Sequence, residues 1–195
     1  MAAFLIALVT VLLPGINGSV SVAVTRMMGA AGFEIPGARY LSDAALVLLA
    51  VGVAVAMMWS WRARPHARAV VAATAIGVVL AYGMSELAKL VFQQARPCTV
   101  WPGVGECDAS DYSFPSNHAT LAFGAVCVIA FAGARLWTTL AAIVVAVFVA
   151  AGRLLEGAHY LHDVAAAALL GIFMPVLLGV AKRAWHRKRH HHPTN

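Results

Sequence analysis

Long apolar stretches alternate with short polar connections along most of this chain. An α-helix needs roughly 20 apolar residues to cross a ~30 Å hydrocarbon layer. Six stretches approach or reach that length, at about residues 2–25, 41–60, 69–92, 117–133, 136–152 and 163–181. The short connections leave no room for a second domain. The pattern predicts an all-α, polytopic membrane protein, a six-transmembrane-helix bundle that forms one domain over residues 1–195.

The first stretch is the least regular of the six. Pro14 and Gly15 interrupt it, and the run before them, MAAFLIALVTVLL, is too short to cross a membrane alone. A cleaved signal peptide is the alternative interpretation. No Lys or Arg precedes Arg26, however, so the basic segment that opens a signal peptide is missing. This favours a membrane helix.

The composition supports a membrane location for the whole chain. Of 195 residues, 62% are hydrophobic and only 11% are charged, and the mean hydropathy is +0.81. A soluble globule of this size needs more polar residues to cover its surface.

Basic residues are unevenly distributed between the predicted connections. Nine of them fall on one side of the membrane if the spans are right: Arg62, Arg64, Arg68, Arg135, Lys182, Arg183, Arg187, Lys188 and Arg189. The positive-inside rule makes that side cytoplasmic, so both termini are predicted to be cytoplasmic. The basic tail, KRAWHRKRHHHPTN, is typical of contact with anionic lipid head groups, and we do not expect nucleic-acid binding.

The opposite, outer side carries the polar chemistry. It holds all eight acidic residues and the other five basic residues, Arg26, Arg39, Lys89, Arg96 and Arg153. Cys98 and Cys107 lie there too, in the loop RPCTVWPGVGECDASDYSFP. An oxidising compartment favours a disulfide between them, and a metal pair is the alternative, although two thiolates alone make a poor metal site. Cys127 lies within the fourth stretch and is predicted to be a core residue.

Two polar clusters flank this outer loop. Lys89 lies in the last turns of the third stretch, and Arg96 follows it, with Pro97 preventing further helix. Taken alone, this cluster is explained by side chains that extend to the membrane interface. In the second cluster, Ser116 is a natural N-cap of the fourth helix, and the free N–H groups of Asn117 and His118 would favour an anion such as phosphate.

The third cluster is GRLLEGAHYLHDVAAAALLG, residues 152–171. Arg153 ends the fifth stretch, and His159 and Asp163 are spaced i, i+4 at the start of the sixth helix. A carboxylate in that position can hold one imidazole nitrogen as N–H and leave the other as a nucleophile or base. A structural pair is the alternative, but ionisable groups within membranes are usually functional. His162 lies on a different helix face and is predicted at the interface.

The alternation of the helices brings the three clusters to the same outer face. Three cations, a helix N-terminus and two histidines would then surround one point, where the fixed positive charge calls for an anion. A tetrahedral phosphate fits, and the histidines indicate phosphoryl transfer. No Asp/Glu cluster suited to Mg²⁺ accompanies them, so we predict neither a metal nor another cofactor.

These residues resemble a known family. The pattern has three parts. The first is a Lys followed, after six residues, by Arg-Pro, and the second is Pro-Ser-x-His. The third is an Arg followed, after five residues, by a His and, after three more, by an Asp. This pattern is that of the type 2 phosphatidate phosphatase superfamily, and every spacing matches at Lys89, Arg96, Pro97, Pro115, Ser116, His118, Arg153, His159 and Asp163. Two positions depart from the pattern: Asn117 replaces the usual glycine, and Gly152 replaces the usual serine.

The resemblance implies a six-helix membrane fold and a role for each motif residue. His159 would attack phosphorus, Asp163 would orient it, and His118 would protonate the leaving oxygen and then activate water. The phosphate oxygens would be held by Lys89, Arg96, Ser116, Asn117 and Arg153. Asn117 keeps its backbone N–H but adds a side chain that could reshape the substrate entrance, whereas Gly152 removes one phosphate contact.

Within the superfamily, DYSFPSNHAT looks most like the bacterial polyprenyl diphosphate phosphatases, which act on undecaprenyl or decaprenyl carriers at the outer face of the inner (plasma) membrane. This implies an enzyme of cell-wall biogenesis whose partners are a lipid phosphate and the bilayer. Phosphatidylglycerophosphate, phosphatidate and polyprenyl-phosphosugar phosphatases share the same chemistry and stay open. A transporter or structural subunit is the non-enzymatic alternative, but it leaves the three-motif spacing unexplained.

Overall fold

Helices form most of the described protein. The structure, a computed structural model, describes residues 19–35, 37–105, 107–108 and 110–190. Its long helices are α1 (Ser19–Phe33), α2 (Ala38–Ala63), α3 (Arg68–Phe92), α4 (Asn117–Phe131), α5 (Leu136–Leu155) and α6 (Leu161–His190), with short helical turns at Pro65–Ala67 and Pro97–Val100. These residues contain no strand. The all-α prediction is confirmed, and α2 to α6 follow the predicted stretches.

The lengths of the helices fit a multi-pass membrane protein. By length and composition, α2, α3, α5 and α6 could each cross a membrane, whereas α1 and α4 are shorter apolar helices. Many large apolar side chains are exposed on the outside of the bundle, among them Val47, Leu48, Val79, Leu90, Val91 and Val144. Such a surface suits lipid rather than water. The count of six spans stays a prediction, because residues 2–18 of the first stretch lie outside the described residues.

Helix α4 lies at the centre of the bundle and contacts α2, α3, α5 and α6. Small side chains dominate these contacts, including Ala45, Ala122, Ala125, Ala142 and Ala146. A Cβ atom added to Gly171 of α6 would lie 2.4 Å from the carbonyl oxygen of Thr120 on α4. Packing this close depends on small residues, which commonly let membrane helices approach one another.

The up-and-down order of the helices brings the polar clusters to one end of the bundle. The C-terminal ends of α3 and α5 meet the N-terminal ends of α2, α4 and α6 there. The described residues of the loop 93–116 and the turn of residues 156–160 complete this region, which we call the site end. The predicted convergence of the three polar clusters on one face therefore agrees with the topology.

Helix α1 packs over the site end. Its contacts pair Ser21 with His162, Thr25 with Leu161, and Arg26 with Trp101. The described part of the first predicted span, residues 19–25, thus covers the region where the polar clusters meet.

Candidate active site

Lys89 and Arg96 are buried cations that share one carboxylate. Lys89 Nζ donates to Asp111 Oδ2 at 2.8 Å and to Oδ1 at 3.1 Å, and Arg96 Nη2 donates to Asp111 Oδ2 at 2.5 Å. Only 4% of Lys89 and 7% of Arg96 is exposed. Burial alone would raise the pKa of Asp111, but the hydrogen bond and charge of Lys89, with the charge of Arg96, hold that pKa below its usual value. Asp111 is therefore an internal anion between two cations predicted to bind phosphate.

The loop that carries Asp111 is anchored at several points. Cys98 and Cys107 are joined, and their Cα atoms are 6.1 Å apart, which lies within the range for a disulfide. The backbone N–H of Cys98 donates to the carbonyl of Gly157 at 2.9 Å, and that of Ser113 donates to the carbonyl of Gln94 at 2.8 Å. Oxidation of the two thiols in the cell stays a prediction.

The N-terminus of α4 is capped as the sequence predicts. Ser116 is the N-cap, and its hydroxyl accepts from the backbone N–H of Ala119 at 3.5 Å. The side chain of Asn117 turns towards α3, where its Oδ1 accepts from Ser85 Oγ at 2.7 Å and its Nδ2 donates to Glu86. Asn117 therefore ties α4 to α3 through its side chain, which leaves its backbone N–H as the group suited to an anion.

His118, in the first turn of α4, is paired with a carboxylate from α2. His118 Nε2 lies 2.9 Å from Asp43 Oδ1. The side chain of Asp43 is 58% exposed and that of His118 is 28% exposed, so the pair lies at the mouth of the site.

Arg153 is a buried cation with its own internal partner. Its Nη1 donates to Glu156 Oε2 at 2.5 Å, and Ser42 Oγ donates to Glu156 Oε1 at 2.5 Å. Burial raises the pKa of Glu156, while the charge of Arg153 and the hydrogen bond from Ser42 oppose that shift. A Cβ at Gly152 would lie 2.7 Å from the Cβ of Ser42. Ser42 of α2 thus fills the space beside the position where the superfamily usually has serine.

His159 is fully enclosed in the turn before α6. Its Nδ1 lies 2.6 Å from the carbonyl oxygen of Ser113. A carbonyl oxygen only accepts, so Nδ1 carries the hydrogen and Nε2 keeps its lone pair. Burial lowers the pKa of His159 to about 4, although the negative charge of Asp163 opposes the shift. The imidazole is therefore neutral at neutral pH, which is the form that a nucleophile requires.

Asp163 holds His159 less directly than the i, i+4 spacing suggests. The distance from Asp163 Oδ2 to His159 Nδ1 is 3.8 Å. The same oxygen accepts from Ser113 Oγ and, at 2.8 Å, from the backbone N–H of Tyr160. Asp163 thereby fixes Ser113, whose carbonyl takes the histidine hydrogen, and it adds a negative charge beside the ring.

The prediction for His162 is wrong. The residue is 1% exposed rather than interfacial, and its Nε2 lies 3.0 Å from Asp163 Oδ1. Its Nδ1 lies 2.9 Å from Ser21 Oγ on α1. The sequence pattern indicates on which face of α6 His162 lies. It does not indicate that α1 packs over that face and buries the side chain.

The predicted residues converge in space. The charges of Arg96 and Arg153 act on each other and on His159, and those of Lys89 and Arg153 act on His118. The Nε atoms of Arg96 and Arg153 are buried and have no hydrogen-bond partner among the described residues. Buried guanidinium N–H groups without partners are costly, so the site has donor capacity suited to an incoming anion.

Several residues of the site lie outside the three sequence motifs, among them Ser42, Asp43, Asp111, Ser113 and Glu156. In the sequence, the three carboxylates are among the acids that all fall on the predicted outer side, and Asp111 and Ser113 belong to the stretch DYSFPSNHAT. Within the described ranges, no group of three His, Cys, Asp or Glu side chains is arranged to hold a metal ion.

The chain is similar to known proteins in its sequence and in its fold. Residues 67–187 match the family described as the PAP2 superfamily. No curated protein matches the chain. The fold is similar to the crystal structure of a transmembrane PAP2-type phosphatidylglycerolphosphate phosphatase from Bacillus subtilis, with a TM-score of 0.63, 18% identity, and coverage of 93% of this chain and 94% of that one. The match to the PAP2 superfamily spans more than half of this chain, so the chain belongs to that superfamily.

Proposed function

We propose that this chain is a metal-independent lipid phosphatase that hydrolyses a polyprenyl diphosphate to the monophosphate, with residues 1–195 as one membrane-embedded domain. The observation that carries the proposal is the convergence of Lys89, Arg96 and Arg153 on a capped helix N-terminus and two histidines. Membership of the PAP2 superfamily supports the coarser statement, a membrane phosphatase that acts on lipid phosphates.

The reaction proceeds in two displacements on His159. In the first, His159 Nε2 attacks the terminal phosphorus, the bond from phosphorus to the leaving oxygen breaks, and His118 gives that oxygen a proton. In the second, water attacks the phosphohistidine, His118 takes a proton from the water, and the P–N bond breaks. Inorganic phosphate leaves and both histidines return to their starting forms.

The cations stabilise the charge that develops on the transferred phosphoryl group. The substrate phosphate takes the place of the Asp111 carboxylate beside Lys89 and Arg96, and it also binds Arg153 and the N–H groups after Ser116. Preformed donors of this kind need little rearrangement when the reaction occurs, which is why they lower the barrier effectively.

An apolar groove supports a lipid substrate. It has a volume of about 460 Å³ and is bounded by α2, α3 and α4, and its lining includes Leu46, Leu49, Ala75, Val78, Leu121 and Ala125. Leu46 lies one turn beyond Asp43, and Leu121 lies one turn beyond His118, so the groove begins beside the mouth of the site. A hydrocarbon tail could lie in this groove while its phosphate enters the cluster of cations.

The polyprenyl substrate is supported by the resemblance of DYSFPSNHAT to bacterial polyprenyl diphosphate phosphatases. A second candidate is phosphatidylglycerophosphate, because the similar Bacillus subtilis structure is described as a phosphatidylglycerolphosphate phosphatase. Both candidates present a terminal phosphate on an apolar tail.

Phosphate release from purified protein tests the function. We expect release with EDTA present, and the highest kcat/KM with polyprenyl diphosphate in a panel that includes phosphatidylglycerophosphate, phosphatidate and a polyprenyl-phosphosugar. His159→Ala protein, purified in the same way, controls for contaminating phosphatases. A higher kcat/KM with phosphatidylglycerophosphate would favour the second candidate, and no release from any lipid would reject the lipid phosphatase.

We further propose that the site end faces the periplasm or cell exterior at the inner (plasma) membrane. Cysteines placed at the two ends of α2 test this orientation, because Glu34 and His66 are both exposed and lie in connections at opposite ends of that helix. In intact cells, a membrane-impermeant thiol reagent should label Glu34→Cys but not His66→Cys. The parent chain, in which Cys98 and Cys107 are joined and Cys127 is buried, gives the background. Labelling in the opposite sense would contradict the proposed orientation.

A further inference from the structure

Asp43 contacts a residue proposed for catalysis, but it belongs to none of the three sequence motifs. It lies on α2, and residues 67–187, which match the PAP2 superfamily, do not include it. Its Oδ1 lies 2.9 Å from His118 Nε2. Ser42, the residue before it, also reaches into the site through Glu156. The beginning of α2 therefore contributes side chains to the site that the motifs do not include.

The packing of α2 against α4 fixes the two partners. Below the pair, Ala45 and Leu49 of α2 lie in the same core cluster as Ala122 and Ala125 of α4. This contact sets the register of the two helices. It places Asp43 beside the first turn of α4, where the backbone position of His118 is determined by the Ser116 cap.

The hydrogen bond determines which nitrogen of His118 is available. An ionised carboxylate only accepts, so the bonded Nε2 carries the hydrogen. His118 Nδ1 has no hydrogen-bond partner within the described part of the chain. The same arrangement, with the nitrogens exchanged, occurs at His159, where Nδ1 carries the hydrogen and Nε2 is available. Each histidine thus has one nitrogen held by an oxygen acceptor and one left for chemistry.

Stability alone does not account for the pair. More than half of the Asp43 side chain is exposed, and exposed ion pairs contribute little to folding. The other charges that act on His118 are mainly cationic, from Lys89 on α3 and Arg153 on α5. Asp43 is the carboxylate among the described residues that bonds to this imidazole, and it offsets those cations when the ring takes up a proton.

We infer that Asp43 is a positioning residue for His118, an inference that rests on the proposed phosphatase function. Asp43 holds Nε2–H throughout the reaction, and Nδ1 exchanges the proton. In the first displacement, Nδ1–H passes to the leaving oxygen as the P–O bond breaks. In the second, Nδ1 takes a proton from the attacking water as the P–N bond breaks, so the ring returns to its protonated form and orthophosphate is released.

The test compares leaving groups with different need for a proton. Asp43→Asn should lower kcat at least about tenfold with phosphatidate, whose leaving group is an alkoxide, and leave KM within about twofold. With p-nitrophenyl phosphate, whose leaving group needs no proton, the formation of the phosphoenzyme should change little. Asp43→Glu should recover part of kcat, because it restores the carboxylate. Asp108→Asn is the matched control, since this exposed acid lies in the outer loop and its hydrogen bonds are to Ser110.

Three results would overturn the inference. An unchanged kcat with phosphatidate would show that Asp43 does not act through His118. Equal losses of phosphoenzyme formation with both substrates would indicate a general structural role. If Asp43→Asn also had a lower KM than the wild type while its kcat was unchanged, Asp43 would only compete with substrate for the site. Wild-type protein that is inactive on every lipid phosphate would instead reject the proposed function, so the two failures are distinguishable.

Discussion

Replacing His159 with alanine is expected to abolish the phosphoenzyme and to lower kcat by more than about 10⁴-fold, the scale seen when a catalytic nucleophile is removed. In the proposed mechanism, His159 offers the neutral nitrogen that attacks phosphorus, because Nδ1–H is held by the Ser113 carbonyl and the pKa of His159 is lowered by burial to about 4. Labelled substrate and an alkaline quench, which preserves an N-linked phosphate, would reveal the intermediate in the wild type and its absence in His159→Ala.

Two further variants keep this result interpretable. His159 is buried, so alanine leaves a cavity that could disturb the fold. His159→Gln fills more of the space without supplying an imidazole, and it should be equally inactive. His66→Ala removes an exposed histidine at the opposite end of the bundle and should behave as the wild type. A phosphoenzyme that still accumulated in His159→Ala or His159→Gln would assign the nucleophile to another residue.

The helices could be predicted closely because the membrane constrains them. A chain that crosses lipid must satisfy its backbone hydrogen bonds within each segment, so apolar length translates into helix position. The third stretch, predicted at 69–92, is the helix Arg68–Phe92. Hydropathy does not show where a helix ends once it has left the apolar region. For this reason the prediction ended the last helix at 181, whereas α6 continues through the basic tail to His190.

The motif residues could be predicted because charge is rare in so apolar a chain. Lys89, Arg96 and Arg153 stand out at helix ends, and the alternation of helices is enough to place them together. Their partners could not be found in this way. Asp111 is one of several acids in a polar loop, and its position between Lys89 and Arg96 follows only from how that loop folds back over α3.

The internal partners of all three cations are likewise absent from the sequence pattern. From the sequence, three fixed cations at one point call for an anion, and phosphate was the predicted one. The structure instead provides internal carboxylates, Asp111 for two of the cations and Glu156 for the third. In the proposed mechanism, phosphate binding is therefore an exchange of one anion for another, favoured because a terminal phosphate carries more negative charge and more acceptor oxygens than one carboxylate.

The second large effect is expected at His118. With phosphatidate, His118→Ala should lose about 10² to 10⁴ in rate, the usual contribution of a positioned acid and base. The alkoxide that leaves is strongly basic, so it needs the proton that His118 is proposed to supply. With a diphosphate substrate, the leaving group is a phosphate monoester whose second pKa is about 6, so the first displacement should depend less on His118. Burst and single-turnover kinetics on both lipids would measure this difference.

An activated substrate separates the two roles of His118. With p-nitrophenyl phosphate, the leaving group departs without a proton, so His118→Ala should still phosphorylate His159. The hydrolysis of that intermediate should be slow, because the attacking water has lost its base, and the phosphoenzyme should accumulate above the wild-type level. His159→Ala under the same conditions should give none. If His118→Ala with an intact fold never formed the phosphoenzyme, His118 would be required before proton transfer, and its assignment as acid and base would be wrong.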